Sequence, residues 1–213
     1  MRTIQSFQTL HDFSIACIDF LKETNLDKDL ISLFTGEFTH MLECVQCLTP
    51  TILDAEEFYS VEIEMCEIES TLPTLLRKFA EPERLSEERR CGGCHRLSFV
   101  VKSISIEKTP VWLVISLKRF SVTDSGDSVK NSQHVEFPLE NLQINEKSFD
   151  LYAVVCHSGS RVSGHYFSFI LYNNHWYYCN DSHVERSNSL TVSMYHENTY
   201  VLFYKARQSS QES

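Results

Sequence analysis

Hydrophobic positions along the chain change period three times, and each change predicts an element. Phe13, Ala16, Cys17, Phe20 and Leu21 recur at steps of three and four. That spacing puts them on one face of a helix of about four turns. A short second helix is expected around Leu30, Ile31 and Leu33. After Gly36 the period drops to two. Phe38, His40 and Leu42 alternate with Thr39, Met41 and Glu43 up to Cys44, as a strand requires, and Val61, Ile63 and Met65 alternate likewise. Ser70 or Thr71 can cap a following helix with Pro73 in its first turn and Leu72, Leu75, Leu76 and Phe79 as its buried stripe.

Beyond Cys94 the pattern predicts strands over Leu97–Ile106, Val111–Phe120, Phe149–His157, Tyr166–Tyr172, Trp176–Cys179 and Tyr200–Tyr204. These runs are rich in Val, Ile, Tyr and Phe, and turn formers such as Asn173-Asn174 separate them. Helices early and strands late indicate an α+β fold with an antiparallel sheet. The domain is expected to run to about Lys205, leaving a polar tail at 206–213.

Composition narrows the function. With 213 residues and 42% hydrophobic content the chain can bury a real core. No run approaches the roughly 18 apolar residues that span a bilayer, and Met1-Arg2-Thr3-Ile4-Gln5 has no signal-peptide core. A cytosolic or nuclear location is therefore expected, with no membrane partner. A net charge of -10 argues against nucleic acid, because binding through phosphates needs clustered Lys and Arg. Acidity concentrates at Asp54, Glu56, Glu57, Glu62, Glu64, Glu67 and Glu69, either a solvated strand face or a docking surface.

Four of the eight cysteines form two pairs, Cys44-Val45-Gln46-Cys47 and Cys91-Gly92-Gly93-Cys94. Each pair presents two thiolates from one tight turn, the spacing with which two sulfurs reach one zinc ion at about 2.3 Å. Two such knuckles complete a closed four-sulfur site, structural because no position is left for water. Gly92 and Gly93 are expected to ease the second turn. The segment between the knuckles must hold strands and a helix. A metal-free reduced cluster and a redox pair are the alternatives. Cys17, Cys66, Cys156 and Cys179 are expected to be buried hydrophobes.

Of the nine histidines, His165 opens a strand directly after the turn-forming Ser158–Ser163. One hairpin later, Asn180 and Asp181 should return level with it. A base for a cysteine nucleophile needs an acceptor on its second ring nitrogen, and Asn serves in that role. An innocent surface histidine is the competing reading.

In order, these residues resemble the ubiquitin-specific protease family. Gly164-His165-Tyr166 and Trp176-Tyr177-Tyr178-Cys179-Asn180-Asp181-Ser182-His183-Val184 are similar to its histidine box, G-H-Y then W-x-x-F-[ND]-D-S-x-V, with Cys179 in place of Phe. Pro110–Phe120 resembles its P-x-x-L-x-x-x-L-x-R-F strand, and Gln8–Phe13 a worn Q-D-A-x-E-F helix start. The resemblance covers about residues 8–205. It implies a hand-like domain with thumb helices over 1–34, fingers with the zinc knuckles over 35–110, and a palm with the histidine box over 111–205. It also implies ubiquitin or a ubiquitin-like modifier, and ubiquitinated proteins, as partners. His165 and Asn180 would belong to a Cys-His-Asn triad assisted by Asp181, cutting the bond after ubiquitin's terminal glycine through a thioester. No G-N-T-C-[YF]-like nucleophile box occurs in the 213 residues. Two expectations follow: an incomplete piece of a deubiquitinase, inactive alone, or a non-catalytic ubiquitin-binding relative. A zinc-ribbon nucleic-acid binder is disfavoured by the charge.

Overall fold

A computed structural model describes residues 28–66, 68–123, 125–161 and 163–208. The expected helix carrying Phe13, Cys17 and Phe20 lies outside the described residues. Helix α1 (Lys28–Phe34) is followed by β1 (Gly36–Cys44), β2 (Pro50–Ile52), β3 (Glu56–Phe58), β4 (Val61–Glu64), β5 (Ser70–Thr71) and helix α2 (Leu72–Phe79). Then come β6 (Glu83–Arg84), β7 (Arg89–Arg90), β8 (Leu97–Ser98), β9 (Val100–Lys108), β10 (Trp112–Lys118), β11 (Phe120–Val122), β12 (Ser128–Lys130), β13 (Val135–Glu136) and β14 (Leu142–Ile144). The last stretch holds β15 (Lys147–Gly159), β16 (Gly164–Tyr172), β17 (His175–Asn180), β18 (His183–Arg186), helix α3 (Ser189–Ser193) and β19 (Thr199–Ala206).

Two sheets carry the architecture, and the expected α+β class holds. One has five strands in the order β2-β1-β9-β6, with β3 also on β1. The other has eight, β18-β17-β16-β15-β19-β10-β4, with β14 on β15. The sheets are antiparallel except that β4 runs parallel to β10 and β5 parallel to β13. Period-two alternation in Val61–Met65 announces a strand but carries no direction, so this exception was not readable from it.

Strands β10 and β19 are central and covered on both faces, which explains their nearly unbroken apolar runs. Leu113, Ile115, Leu117, Leu202 and Tyr204 enter the main core, while Val114 and Val201 pack on the other side with Phe34 and Phe203. Helix α2 starts where Thr71 Oγ1 accepts the Thr74 amide, and Pro73 sits in its first turn. Leu72 and Leu75 are fully buried, contributing about 2 kcal/mol each. Gly36 is packed against the Phe58 ring, which leaves no room for a Cβ.

Arg119 has no carboxylate partner among the described residues although its side chain is buried. Its guanidinium donates instead to four carbonyls: Thr199 at 2.5 Å, His196 at 2.6 Å, Gln133 at 2.8 Å and Asn131 at 3.0 Å. Desolvation pulls its pKa down to about 10, which still leaves the cation charged near neutrality. Arg119→Ala strips four carbonyls, two of them buried and two half-buried, of this donor. It is expected to cost about 3 to 5 kcal/mol, read as a lowered urea midpoint, and Arg119→Lys should not restore the loss because an ammonium lacks the planar fork.

Two buried imidazoles give a pH dependence. Desolvation, then Lys130, lowers the His157 pKa below the ordinary 6.5; desolvation, then His134, does so at His196. Below pH 6.5 the unfolded chain takes up protons that the folded chain refuses. Stability is expected to be full above that pH and to fall as the pH drops toward 5, so unfolding midpoints that stay level from pH 7 to 5 would contradict the assignment.

Candidate functional site

Strand β15 pairs with β16, and β16 with β17, in unbroken register. Ser158 stands opposite His165, Ser168 opposite Cys179, and Phe169 opposite Tyr178. The alternation puts His165, Phe167 and Phe169 on one face with Tyr178 and Asn180, and Cys179 on the other. Phe167, Phe169, Tyr178 and Tyr195 stack into an aromatic floor at centroid distances of 5.1 to 5.7 Å. His165 stands exposed at the end of that floor.

There His165 Nε2 meets Asn180 Oδ1 at 2.5 Å. Asn180 Nδ2 donates to the Tyr178 hydroxyl at 2.9 Å, which holds the amide with its oxygen toward the imidazole. A carbonyl oxygen only accepts, so the Nε2 position carries the proton and Nδ1 keeps its lone pair. The expected pairing of His165 with Asn180 is present. Asp181 forms the turn into β18 with φ of 50°, and no hydrogen bond joins it to His165 or Asn180 among the described residues.

Spacing alone did not reveal the support beneath this pair. Tyr178, two positions before Asn180 and so on its face, was the readable signal. His157 was not readable. Its ring is buried against Phe120 and Tyr166, its Nδ1 has no hydrogen-bond partner among the described residues, and its Nε2 edge abuts Gly164. A Cβ at Gly164 would stand 2.8 Å from Ser158 O and closer still to the His157 ring. Glycine precedes His165 because a buried imidazole occupies the space. Gly164→Ala is expected to push β16 from β15 at its mouth, read as faster amide exchange at His165 and Tyr166 with little change at Ile170.

At the far end of the five-stranded sheet the two knuckles meet. The sulfurs of Cys44, Cys47, Cys91 and Cys94 lie within 4.8 Å of one another, with Cys47 to Cys91 at 3.5 Å and Cys44 to Cys94 at 4.0 Å. A tetrahedron with metal–sulfur bonds of about 2.3 Å has edges of about 3.8 Å, so the four sulfurs fit an ion of that kind. The knuckles repeat one backbone design. Leu48 N donates to Cys44 O at 2.8 Å and His95 N to Cys91 O at 3.0 Å, and both donors have positive φ, 55° and 57°. The expectation that Gly92 and Gly93 supply the sharp turn is corrected, because the left-handed positions fall on Leu48 and His95. Gly93 is small for another reason: a Cβ there would lie 2.8 Å from Thr49 Oγ1, where the knuckles touch. Amides do aim at sulfur, with Gly93 N 3.3 Å from Cys91 Sγ.

Hydrogen bonds already favour thiolate on the first knuckle. The Ser98 hydroxyl, then the Cys47 amide, lowers Cys44 to about 6, and the Thr49 hydroxyl and amide lower Cys47. At Cys94 the Arg96 amide also lowers the pKa, but desolvation and three neighbouring sulfurs outweigh it and push the thiol up to about 11. A cation would relieve that crowding. Cys156 is buried as expected, its thiol pushed up to about 12 by desolvation, whereas Cys66 and Cys179 are only half-buried. No described helix is long and apolar enough to cross a membrane.

A fold of palm-like and finger-like sheets, a four-cysteine cluster and a histidine–asparagine pair define a ubiquitin-specific-protease type of domain. The sequence profile described as Ubiquitin carboxyl-terminal hydrolase matches residues 7–204, and the chain belongs to that family. It is 33% identical over 194 residues to ubiquitin carboxyl-terminal hydrolase 4 of Arabidopsis thaliana, covering 82% of this chain and 53% of that protein. Against probable ubiquitin carboxyl-terminal hydrolase 8 of Schizosaccharomyces pombe it is 26% identical over 182 residues, covering 83% and 38%. The chain thus spans about half or less of these relatives' length. Among solved structures it is similar to a chain of the SAGA DUB module Ubp8/Sgf11/Sus1/Sgf73 bound to monoubiquitin, with a TM-score of 0.85 and 25% identity over 94% of this chain and 48% of that one.

Proposed function

We propose that this chain is the ubiquitin-gripping, base-carrying part of a thiol-dependent deubiquitinase domain. The observation that carries the reading is the His165 Nε2 to Asn180 Oδ1 bond, because it leaves His165 Nδ1 as the free base. In that role Nδ1 accepts the proton of a cysteine thiol, and Asn180 holds the imidazolium that forms. The thiolate sulfur adds to the carbonyl of ubiquitin's last glycine. Nδ1–H then passes its proton to the departing amine as the carbon–nitrogen bond breaks. Water, deprotonated by the same nitrogen, hydrolyses the thioester. Asp181 assists by polarising the site or, through the turn it forms, by fixing Asn180.

The thiol is not one of the described cysteines. Four belong to the knuckles, Cys66 lies beside α2 with Lys78 Nζ 3.6 Å from its sulfur, Cys156 is sealed in the core, and Cys179 is on the face opposite His165. A non-catalytic ubiquitin-binding role is the second reading, favoured by that same observation. Zinc on Cys44, Cys47, Cys91 and Cys94 clamps the fingers over 35–110 without taking part in chemistry, and the palm spans 111–205. The compartment is the cytosol or nucleus, where such thiols stay reduced. Partners are ubiquitin or a ubiquitin-like modifier and the proteins that carry it, not nucleic acid or membrane.

This chain is expected to show no turnover of a ubiquitin-based fluorogenic substrate; turnover abolished by His165→Ala would overturn the inactivity. Nitrogen-15 NMR should report the Nε2–H tautomer at His165 in the intact chain and a mixture in Asn180→Ala. About one zinc per chain is expected. Serines at Cys91 and Cys94 should lower Tm by about 10 °C and abolish ubiquitin contact, while His165→Ala keeps that contact. Equal loss of contact in both variants would break the separation of grip from chemistry.

A further inference from the structure

Four thiols meet at the fingertip, and they are not equally open to water. Cys44 and Cys91 are buried, at 2% and 8% exposed, and Cys94 is half-buried. Cys47 is exposed. A reagent arriving from solvent therefore meets the Cys47 sulfur first, and exposure is one of the two properties that decide which thiol is oxidised.

The knuckles pack against each other at this same corner. Thr49 Oγ1 lies 3.1 Å from Cys47 Sγ, and it is also the atom that a Cβ at Gly93 would meet at 2.8 Å. Across the corner Cys47 Sγ and Cys91 Sγ are 3.5 Å apart, closer than Cys44 and Cys94 at 4.0 Å. Two amides of its own turn hold the Cys91 sulfur, Gly93 N at 3.3 Å and Cys94 N at 3.5 Å. The backbone there is fixed as well, with Cys91 N on Arg96 O at 2.9 Å and His95 N on Cys91 O at 3.0 Å. Bonded sulfurs stand about 2 Å apart, so a movement of about 1.5 Å closes the gap. A bond from Cys47 to Cys91 would join the two segments that a shared ion joins. One inside either C-x-x-C pair would leave the knuckles unconnected.

We propose that Cys47 is a site of oxidation by small peroxides and that Cys91 resolves it as a disulfide across the two knuckles, exchanging a metal clamp for a covalent one. Only the metal-release part rests on the reading of the four sulfurs as a zinc site. The Cys47 sulfur attacks one peroxide oxygen, the oxygen–oxygen bond breaks, and a sulfenic acid and water result. The Cys91 sulfur then attacks the Cys47 sulfur, the sulfur–oxygen bond breaks, and the hydroxyl leaves as a second water. Two thiols have lost two electrons and two protons, and the peroxide has gained them. Cys44 and Cys94 remain as donors, half of what a closed four-sulfur site needs, so a bound ion is released. A dithiol reductant reverses the exchange.

The test uses the full, unsubstituted chain, so folding of a variant does not enter. Hydrogen peroxide is added while released zinc is followed with a chromogenic chelator, and unreduced digests are read by mass spectrometry with fragmentation to assign each sulfur. The first disulfide is expected to join Cys47 to Cys91 as one zinc per chain is lost, and dithiothreitol with added zinc should restore both. At the earliest times dimedone should label Cys47 at least about fivefold more than any other described cysteine. A first disulfide inside either C-x-x-C pair, or between Cys44 and Cys94, would overturn the pairing. Earlier labelling of a buried or half-buried cysteine would overturn Cys47 as the point of entry. A chain purified without zinc would sink the metal reading while the disulfide map still decides this one, so the two fail separately.

Discussion

The guanidinium of Arg119 is the constraint on which the palm depends. It stands just after β10 and gathers the carbonyls of two segments, 131–133 and 196–199. The second segment feeds β19, the strand between β10 and β15. From there the tether reaches the site in two contacts. Asn198 O accepts the His157 amide at 2.8 Å, and the His157 ring fills the space that a side chain at Gly164 would need. Lys130 adds a second hold, donating to His157 O at 2.7 Å. A buried cation satisfied by carbonyl dipoles thereby sets the height at which His165 leaves the sheet.

That arrangement explains what pattern alone could and could not show. His165 and Asn180 were recoverable because one hairpin connects them and strand alternation fixes the face each takes. The four sulfurs were recoverable because two short motifs each specify a turn. Support from far along the chain was not. Nothing near His157 announces that it will meet Gly164, or that Arg119 will serve carbonyls some 80 residues away. The short strands β2, β3, β5, β6, β7 and β13 are two or three residues long. They exist because a partner strand pairs them, so local propensity carries no trace of them. Gly93 is a related case: its smallness looked like a turn requirement and is a packing requirement between segments far apart in sequence.

Charge follows the same division. The acidic run from Asp54 to Glu69 looked unpaired within its own stretch. Folding brings His40 to Glu56 at 2.9 Å, and Lys118 to Glu64 at 2.8 Å and Glu62 at 3.4 Å. Part of that stretch is therefore neither a bare solvated face nor a free docking surface. These exposed pairs contribute at most about 1 kcal/mol each, so their effect is to consume local charge more than to stabilise the fold.

The imidazole–amide pair and the sulfur cluster are separable for a structural reason. The His165–Asn180 bond needs only the β16–β17 register and the aromatic floor beneath it, both internal to the palm. The sulfur cluster needs only β1, the β7–β8 ribbon and the start of β9, with the Val45 amide on Phe99 O tying the first knuckle to that start. Neither site borrows a side chain from the other. A chain built this way holds the His165–Asn180 pair through the sheet alone, with no contribution from the sulfur cluster. The sulfur cluster likewise needs nothing from that imidazole. Under the proposed reading, binding and chemistry therefore rest on different residues of one fold, and preservation of one carries no guarantee of the other.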